Sequence, residues 1–235
     1  MCTVSYLPLK DKVILTSNRD EDIKRPALEP NVFPLKDQKL IYPKDPRGNG
    51  TWIAISSQNR FVCLLNGAFK KHKHQPPYRQ SRGKVVTDYF NYNDTQKFCS
   101  NYNLIDIEPF TLIIYESDRR LYEFRWDGHQ KYLKDLDTQK PHIYSSSTLY
   151  TEEIVKKREY WFAQFLKEKE WNEANVLNFH KFAGDGNIRN NLQMRFDAQT
   201  HQIQTTSVTQ IVRSNNQIQL AYNNLINQAV EVLGF

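Results

Sequence analysis

The sequence predicts an α+β fold with antiparallel sheets. The predicted elements come in blocks: strands, one helix, more strands, two helices and a final group of strands. Such clustering is typical of antiparallel sheets, whereas parallel sheets need strands and helices that alternate along the chain. Helices between blocks of strands also suit stacked sheets with helices on the outside. At 235 residues the chain can bury a large core, and we expect a single domain over residues 1–235.

The predicted strands are short runs rich in β-branched and aromatic residues, separated by turn residues. In chain order they are Thr3–Leu7, Lys12–Ser17, Thr51–Ser56, Phe61–Leu65, Phe110–Tyr115, Leu121–Trp126, His142–Ser145, Gln202–Val212 and Gln217–Tyr222. The first six pair as three hairpins. Between the first and second hairpins lies a stretch rich in proline that continues through Arg47-Gly48-Asn49-Gly50, and we expect it to be irregular.

Three helices are predicted from apolar residues spaced three and four apart. The first begins near Gly83 and carries Val85, Val86, Tyr89 and Phe90 on one face. The clearest helix is Thr151–Glu168, in which apolar residues recur among charged ones. A third is expected from about Asn172 to Phe182, closed by Gly184.

Composition excludes several classes of protein. The three cysteines, Cys2, Cys63 and Cys99, are an odd number without C-x-x-C spacing, which argues against a disulfide framework and a zinc site. Neither a signal segment nor a membrane-spanning run is visible, so we expect a cytoplasmic protein that is not embedded in a membrane. The formal net charge of +6 is a mild excess, densest at Lys70-Lys71-His72-Lys73-His74. No nucleic-acid-binding motif accompanies it, so we interpret this patch as a solvated loop rather than a nucleic-acid or metal site.

Cys2 is the first candidate for chemistry. It follows the initiator Met1, so trimming of that methionine would leave a residue with both a thiol and a free α-amine. The amine can act as the base that activates the thiol, since their unperturbed pKa values are about 8 and about 8.5. Alternatively, Cys2 is a small buried hydrophobic residue, like most free cysteines.

Three segments of the sequence resemble one known family. They are Met1-Cys2-Thr3, Ser17-Asn18-Arg19-Asp20-Glu21, and Gly50-Thr51-Trp52-Ile53-Ala54 leading towards a strand that ends at Asn66. Ser81-Arg82-Gly83 and Ser145-Ser146-Ser147-Thr148-Leu149 also fit. By these motifs the chain is identified as a member of the NRDE family, also called the transport and Golgi organisation protein 2 family.

That family is similar to the N-terminal-nucleophile hydrolases, especially the cysteine branch with bile salt hydrolases and penicillin V acylases. The resemblance implies a four-layer αββα sandwich of antiparallel sheets and cleavage of non-peptide C–N amide bonds. It also implies that Cys2 is the nucleophile, that Asp20 orients the α-amine and that Asn66 contributes to the oxyanion hole. Ser17 stands where those enzymes have an arginine near the nucleophile, and Arg19 is the candidate to replace it.

Three further residues are candidates for substrate binding. Ser147, or its neighbour Ser146, stands where the related enzymes have a second asparagine. Arg82 could hold a substrate carboxylate in a bidentate contact or merely solvate the start of a helix. Trp52 follows a Gly-Thr turn and either lines a pocket or packs in the core.

The function expected from the sequence is that of a cysteine amidohydrolase which acts on a small-molecule amide through a thioester. It needs no cofactor and no metal. The alternative is a non-catalytic member of the fold that binds a small hydrophobic ligand or a partner protein. A redox-sensing thiol is a third possibility, although no second cysteine lies next to Cys2 in the sequence. The sequence carries no information on the substrate or the oligomeric state.

Overall fold

A computed structural model describes residues 3–195, 203–215 and 217–235. Thirteen strands and four helices occur in these ranges. The strands are β1 (Thr3–Pro8), β2 (Lys12–Asp22), β3 (Leu28–Leu35), β4 (Gln38–Lys44), β5 (Ile53–Ser56), β6 (Phe61–Asn66), β7 (Phe110–Tyr115), β8 (Leu121–Trp126), β9 (Lys131–Leu136), β10 (His142–Ser145), β11 (Ile203–Ser214), β12 (Ile218–Asn224) and β13 (Val230–Gly234). The helices are α1 (Arg82–Tyr89), α2 (Thr95–Asn101), α3 (Glu152–Glu168) and α4 (Glu173–Phe182).

The strands form two antiparallel sheets. The first has the order β10-β1-β2-β11-β12-β13, so that residues from both ends of the chain share it. The second follows the chain order from β3 to β9 as a meander. In the first sheet Thr3 lies between Ser145 of β10 and Asn18 of β2, which places the start of β1 in the interior of the sheet.

Helices cover the outer faces of the two sheets. Helix α1 packs against β5 and β6, and α4 packs against β2 and β11. The main apolar core includes residues of both sheets, such as Tyr6 and Tyr115, whose rings stack with centroids 6.1 Å apart. A second cluster lies between the first sheet and helices α3 and α4, and contains Ile14, Phe162 and Phe179. The layers are therefore helix, sheet, sheet and helix, which confirms the predicted α+β sandwich.

The helices begin where the sequence offers side-chain caps. The Thr151 hydroxyl accepts a hydrogen bond from the N–H of Ile154 at the start of α3, and the Asn172 side chain accepts one from the N–H of Asn175 at the start of α4. The Ser81 hydroxyl accepts from the N–H of Gly83 and caps α1. The three predicted helices are thus confirmed to within two residues at their ends.

The expectation of an irregular proline-rich connection was wrong for residues 28–44, which form the hairpin of β3 and β4, whereas Arg47-Gly48-Asn49-Gly50 lies outside the strands. Strand β3 is the edge of the second sheet, and proline is tolerated at an edge because one side of the strand needs no N–H partners. Two more strands that the sequence did not reveal, β9 and β13, are also sheet edges. Exposed edge strands bury little apolar surface, so their sequences lack a clear pattern. Helix α2 was missed as a separate element as well.

The strand predicted from Gln202 is described from Ile203 onwards, and Gln202 itself lies outside the described residues. None of the helices in the described ranges is long and apolar enough to cross a membrane.

Candidate functional site

Strand β2 carries two of the candidate residues, Arg19 and Asp20, on opposite faces. Consecutive side chains of a strand point to opposite sides of the sheet. The Arg19 guanidinium lies between the two sheets, with its central carbon 4.9 Å from the ring centroid of Trp52. Asp20 points to the other side, towards the segment that leads into α3. Arg19 and Asp20 are therefore not a surface ion pair at a strand end; both are buried within the strand.

The Asp20 carboxylate accepts hydrogen bonds from two buried hydroxyl groups. The Thr205 hydroxyl donates to Oδ1 at 2.5 Å, and the Tyr150 hydroxyl donates to Oδ2. Thr205 lies directly opposite Asp20 on β11, where the ladder shifts register before Ser207. Since each carboxylate oxygen accepts a hydrogen bond from a buried hydroxyl, the two bonds hold the Asp20 side chain in a fixed orientation.

Arg19 is held in place by the neighbouring strand β11 and by the loop that follows β2. Its guanidinium donates to the Thr206 hydroxyl and to the Arg25 carbonyl, both at 3.0 Å. Burial is the main cause that lowers the Arg19 pKa, and the nearby Glu21 carboxylate acts against it. An arginine starts from a pKa above 12, so the side chain remains a cation. Arg19 thus brings a positive charge to the space between the sheets.

Ser17 lies two residues before Arg19 and on the same face of β2. Its hydroxyl contacts the Cys63 thiol, which is completely buried in β6. Burial raises the pKa of Cys63 to about 12, and the Ser17 hydrogen bond only partly offsets this. Cys63 is therefore an inert core thiol at neutral pH.

The start of β1 and the end of β6 are joined through the segment that follows β10. Thr3 pairs with Ser145, and the next residue, Ser146, donates its hydroxyl to the carbonyl oxygen of Asn66 at 2.8 Å. After Asn66 the chain turns at Gly67, whose φ of +81° favours glycine. The structure thus gathers Asn66 and the serine segment around the first described residue of the chain. Cys2 itself lies outside the described residues.

Ser147 lies against this turn and has no hydrogen-bond partner among the described residues. Its hydroxyl oxygen is buried. A Cβ atom added to Gly67 would lie 2.3 Å from it, so the glycine is required for this close approach as well as for the turn. A buried hydroxyl without a partner is a rare and costly feature, which makes Ser147 a donor available to a ligand.

A cleft of about 730 Å³ opens beside Ser147. Its wall combines apolar side chains, including Phe69, Leu149 and Val155, with the charged side chains of Lys70, Arg125, Lys156 and Glu159. Pockets of this size accommodate drug-sized organic molecules.

A second, smaller pocket of about 170 Å³ brings together Arg19, Trp52, Asn66 and Arg82. Four of the predicted site residues therefore line one cavity. The indole N–H of Trp52 is buried and has no partner among the described residues, although its ring packs against Arg19. Trp52 consequently fulfils both expectations, packing and lining a pocket.

Close backbone contact holds the walls of the small pocket together. The N–H of Thr51 donates to the carbonyl of Gly83 at 3.1 Å. A Cβ atom on Gly50 would lie 2.2 Å from the carbonyl carbon of Gly83. The Gly-Thr-Trp and Ser-Arg-Gly motifs thus pack directly against each other, and this contact brings Trp52 and Arg82 into the wall of the same pocket.

Arg82 is paired with Glu108, their nearest atoms 3.0 Å apart. Burial acts to raise the pKa of Glu108, but Arg82 and the hydrogen bonds of His72 and His74 outweigh it and lower the pKa. The expectation that the two histidines are merely solvated is wrong for His72, which is largely buried against Glu108 at 3.0 Å, whereas His74 is exposed and lies 3.3 Å from the same carboxylate. Across residues 3–195, 203–215 and 217–235, no group of three or more histidine, cysteine or acidic side chains is arranged to hold a metal ion.

Reasoning from the sequence missed the residues that support Asp20. Tyr150 and Thr205 are ordinary residues in a loop and a strand, and no motif marks them. Only their position opposite Asp20 in the folded chain identifies them. Tyr150 does precede the helix cap at Thr151, which is a weak signal that its position is fixed.

Solved structures with a similar fold are N-terminal-nucleophile hydrolases. An N-acylethanolamine-hydrolyzing acid amidase ortholog from Caenorhabditis elegans has a TM-score of 0.61 at 13% identity, covering 99% of this chain and 100% of the other. Penicillin V acylase from Agrobacterium tumefaciens has a TM-score of 0.59 at 10% identity, covering 99% and 86%. A variant of conjugated bile acid hydrolase from Clostridium perfringens has a TM-score of 0.58 at 9% identity, covering 99% and 92%. At such identities the likeness establishes the fold alone.

Sequence comparison agrees with the motifs. No curated protein sequence matches the chain. The family model described as Transport and Golgi organisation 2 matches residues 1–225. This match spans nearly the whole chain, including the C-terminal third, where the motifs were least clear. The chain belongs to the Transport and Golgi organisation 2 family, and it shares the fold of the N-terminal-nucleophile hydrolases.

Proposed function

We propose that this protein is a cysteine N-terminal-nucleophile amidohydrolase, with Cys2 as the nucleophile after removal of Met1. One observation carries the proposal: the strand that pairs with the start of β1 bears a buried carboxylate, Asp20. The segment after β10 adds a hydrogen bond from Ser146 to the backbone carbonyl of Asn66 and a buried Ser147 hydroxyl that has no partner among the described residues. Thr3, the residue bonded to Cys2, lies in the middle of this arrangement, between Ser145 and Asn18.

In the proposed reaction the α-amine of Cys2 takes the thiol proton, and the thiolate attacks the amide carbonyl carbon. Asn66 and Ser147 are the proposed donors to the oxyanion, and removal of one such donor typically costs about 3 kcal/mol in the barrier. Collapse breaks the C–N bond, and the ammonium returns the proton to the leaving amine. Water then hydrolyses the thioester, which releases the acid and restores the thiol.

Asp20 and Arg19 have separate parts in this scheme. Asp20, fixed by Tyr150 and Thr205, is the acceptor that holds the ammonium form of the α-amine. Arg19 contributes its charge from the layer between the sheets and favours the thiolate. It takes the place of the arginine that the related enzymes have at the position of Ser17, since both side chains lie on one face of β2.

The two cavities support a small-molecule amide as the substrate. The cleft of about 730 Å³ offers apolar wall for an acyl part, and the polar pocket of about 170 Å³ suits a smaller group. In that pocket Arg82 and Trp52 are the proposed contacts. We place the reaction in the cytoplasm, where a reducing environment keeps the thiol free.

A second candidate function is ligand binding without hydrolysis. The observation that favours it is Ser17, which contacts Cys63 and leaves the core without a guanidinium at that position. In this case the cleft would hold a small hydrophobic ligand, and Cys2 would form no thioester.

The first experiment measures the intact mass of the protein purified from cells. Loss of Met1 is the expected result, because a retained methionine blocks the amine and rules out the mechanism.

The second experiment tests the nucleophile with a thiol-reactive acylating probe on wild type, Cys2→Ser and Cys99→Ser. We expect labelling in the wild type and in Cys99→Ser, and its loss in Cys2→Ser. Cys99 is the matched control because it is a partly exposed thiol remote from the serine segment. Equal labelling of Cys2→Ser and wild type would show that the nucleophile lies elsewhere, whereas a slow, unselective reaction of Cys2 would favour the binding function.

A further inference from the structure

Helix α3 contributes a completely buried arginine, Arg158, to the face of the first sheet that carries Asp20. No described carboxylate forms a salt bridge with it. Its guanidinium donates instead to the carbonyl of Asn191 at 2.8 Å and to the carbonyl of Asn190 at 3.2 Å. Burial of a cation without a counter-ion is costly, and here neutral carbonyl groups, rather than a carboxylate, offset that cost.

The same guanidinium contacts the start of β1. Its Nη1 donates to the hydroxyl of Thr3 at 2.5 Å. Thr3 is bonded directly to Cys2, so this contact fixes the backbone at the residue next to the proposed nucleophile.

The guanidinium also stacks on the ring of Tyr150, with its central carbon 3.7 Å from the ring centroid. That ring carries the hydroxyl that donates to Asp20. A cation over an aromatic face holds the ring in place, and the attraction is greatest where both are shielded from water. Arg158 therefore contacts Thr3 on β1 directly and reaches Asp20 on β2 through the ring of Tyr150.

We infer that Arg158 is a positioning residue of the Cys2 site. It aligns the start of β1, through Thr3, with the carboxylate of Asp20, through Tyr150. This inference rests on the proposed function, because alignment matters only if the α-amine of Cys2 activates the thiol. Arg158 touches no reacting atom in the scheme.

The test measures the alkylation rate of Cys2 by iodoacetamide as a function of pH, with the modified peptides quantified by mass spectrometry. Wild type is compared with Arg158→Gln, Arg158→Lys and Tyr150→Phe. The matched control is Arg60→Gln, since Arg60 is also buried and lies 4.6 Å from the ring centroid of Tyr89, but in the second sheet. Thermal unfolding checks that every variant is folded. If the arginine variants do not fold, Tyr150→Phe still tests the inference, because it keeps the aromatic ring and removes only the hydroxyl that donates to Asp20.

We expect Arg158→Gln to move the midpoint of the Cys2 profile up by about one pH unit, which slows alkylation at neutral pH about tenfold. Arg158→Lys keeps the charge, but a lysine cannot contact Thr3, the backbone carbonyls and the Tyr150 ring at the same time, so it should shift the pH profile of Cys2 alkylation as well. Tyr150→Phe should shift it in the same direction, and Arg60→Gln should not.

Three outcomes would overturn the inference, and they are distinguishable. If the wild-type Cys2 profile is that of an ordinary thiol, the proposed function fails and the inference fails with it. If wild-type Cys2 is activated but the Arg158 and Tyr150 variants keep its profile, only the positioning role fails. A shift in Arg158→Gln but not in Arg158→Lys would mean that the charge acts at a distance, which also contradicts positioning.

Discussion

The buried His180 should make the stability of this protein fall sharply in mild acid. His180 lies on α4, completely buried against the first sheet. Its Nε2 lies 2.7 Å from the Ser5 hydroxyl, and its Nδ1 contacts the Asn18 side-chain oxygen at 2.5 Å. Because the Asn18 amide nitrogen donates to backbone carbonyls, its oxygen is the acceptor, so Nδ1 carries the proton of a neutral ring.

Burial, together with the nearby Arg158 cation, lowers the His180 pKa from 6.5 to about 3. Below pH 6.5, therefore, His180 is protonated in the unfolded chain, whereas in the folded chain it stays neutral until the pH falls to about 3. In that window stability is lost as the pH falls, at about 1.4 kcal/mol per pH unit. Between pH 7.5 and pH 5 the loss from this one residue is about 2 kcal/mol.

The assay is urea unfolding at several pH values between these limits, followed by tryptophan fluorescence. Wild type is compared with His180→Gln and with His129→Gln, which removes an exposed histidine. Carboxylates titrate in all three proteins, so the difference between the curves isolates His180. We expect His180→Gln to lose stability at pH 7.5 but to show the flatter pH dependence, with His129→Gln parallel to wild type. Parallel curves for wild type and His180→Gln would refute the reasoning.

Two further substitutions test the packing around the site by the same unfolding assay. Gly67→Ala should lower the free energy of unfolding more than Gly186→Ala does. Both glycines have φ above +80°, but a Cβ atom at Gly67 would meet Ser147, whereas nothing lies within 4 Å of the Cβ position of Gly186. The shared backbone strain is about 1–2 kcal/mol, and equal losses would contradict the close approach. Phe179→Ala should lower the free energy of unfolding by about 3–5 kcal/mol, since its ring packs between α3 and α4. Phe182 lies on the exposed side of the same helix, so Phe182→Ala should lower it by less than about 0.5 kcal/mol. A similar loss in both variants would mean that this cluster does not stabilise the helical layer.

The elements that the sequence predicted well are those that bury a regular apolar pattern. The hairpin Phe110–Tyr115 with Leu121–Trp126 has the predicted ends, since both strands are central in their sheet. The helix of Thr151–Glu168 likewise shows its spacing, because one side faces a core. The edge strands β3, β9 and β13 escaped detection because solvent, rather than packing, surrounds one side of them, whereas the edge strand β10 was predicted.

The candidate site was foreseen in part. The motifs marked Arg19, Trp52, Asn66 and Arg82, and the fold places them around one pocket. They did not reveal that Asp20 and Arg19 face different layers, because the predicted strand ended at Ser17 whereas β2 continues to Asp22.

By itself, the sequence determined the family, the α+β sandwich and the residue types available for chemistry. These follow from local patterns and from motifs of fixed spacing. Only the tertiary structure decided which groups support them: Tyr150 and Thr205 on Asp20, and Arg158 between Thr3 and Tyr150. In each of these hydrogen bonds the two residues are more than a hundred positions apart in the chain, and only Arg158 and Tyr150 are close in sequence. Hydrogen bonds between such distant segments depend on how sheets and helices stack, and no local pattern encodes that.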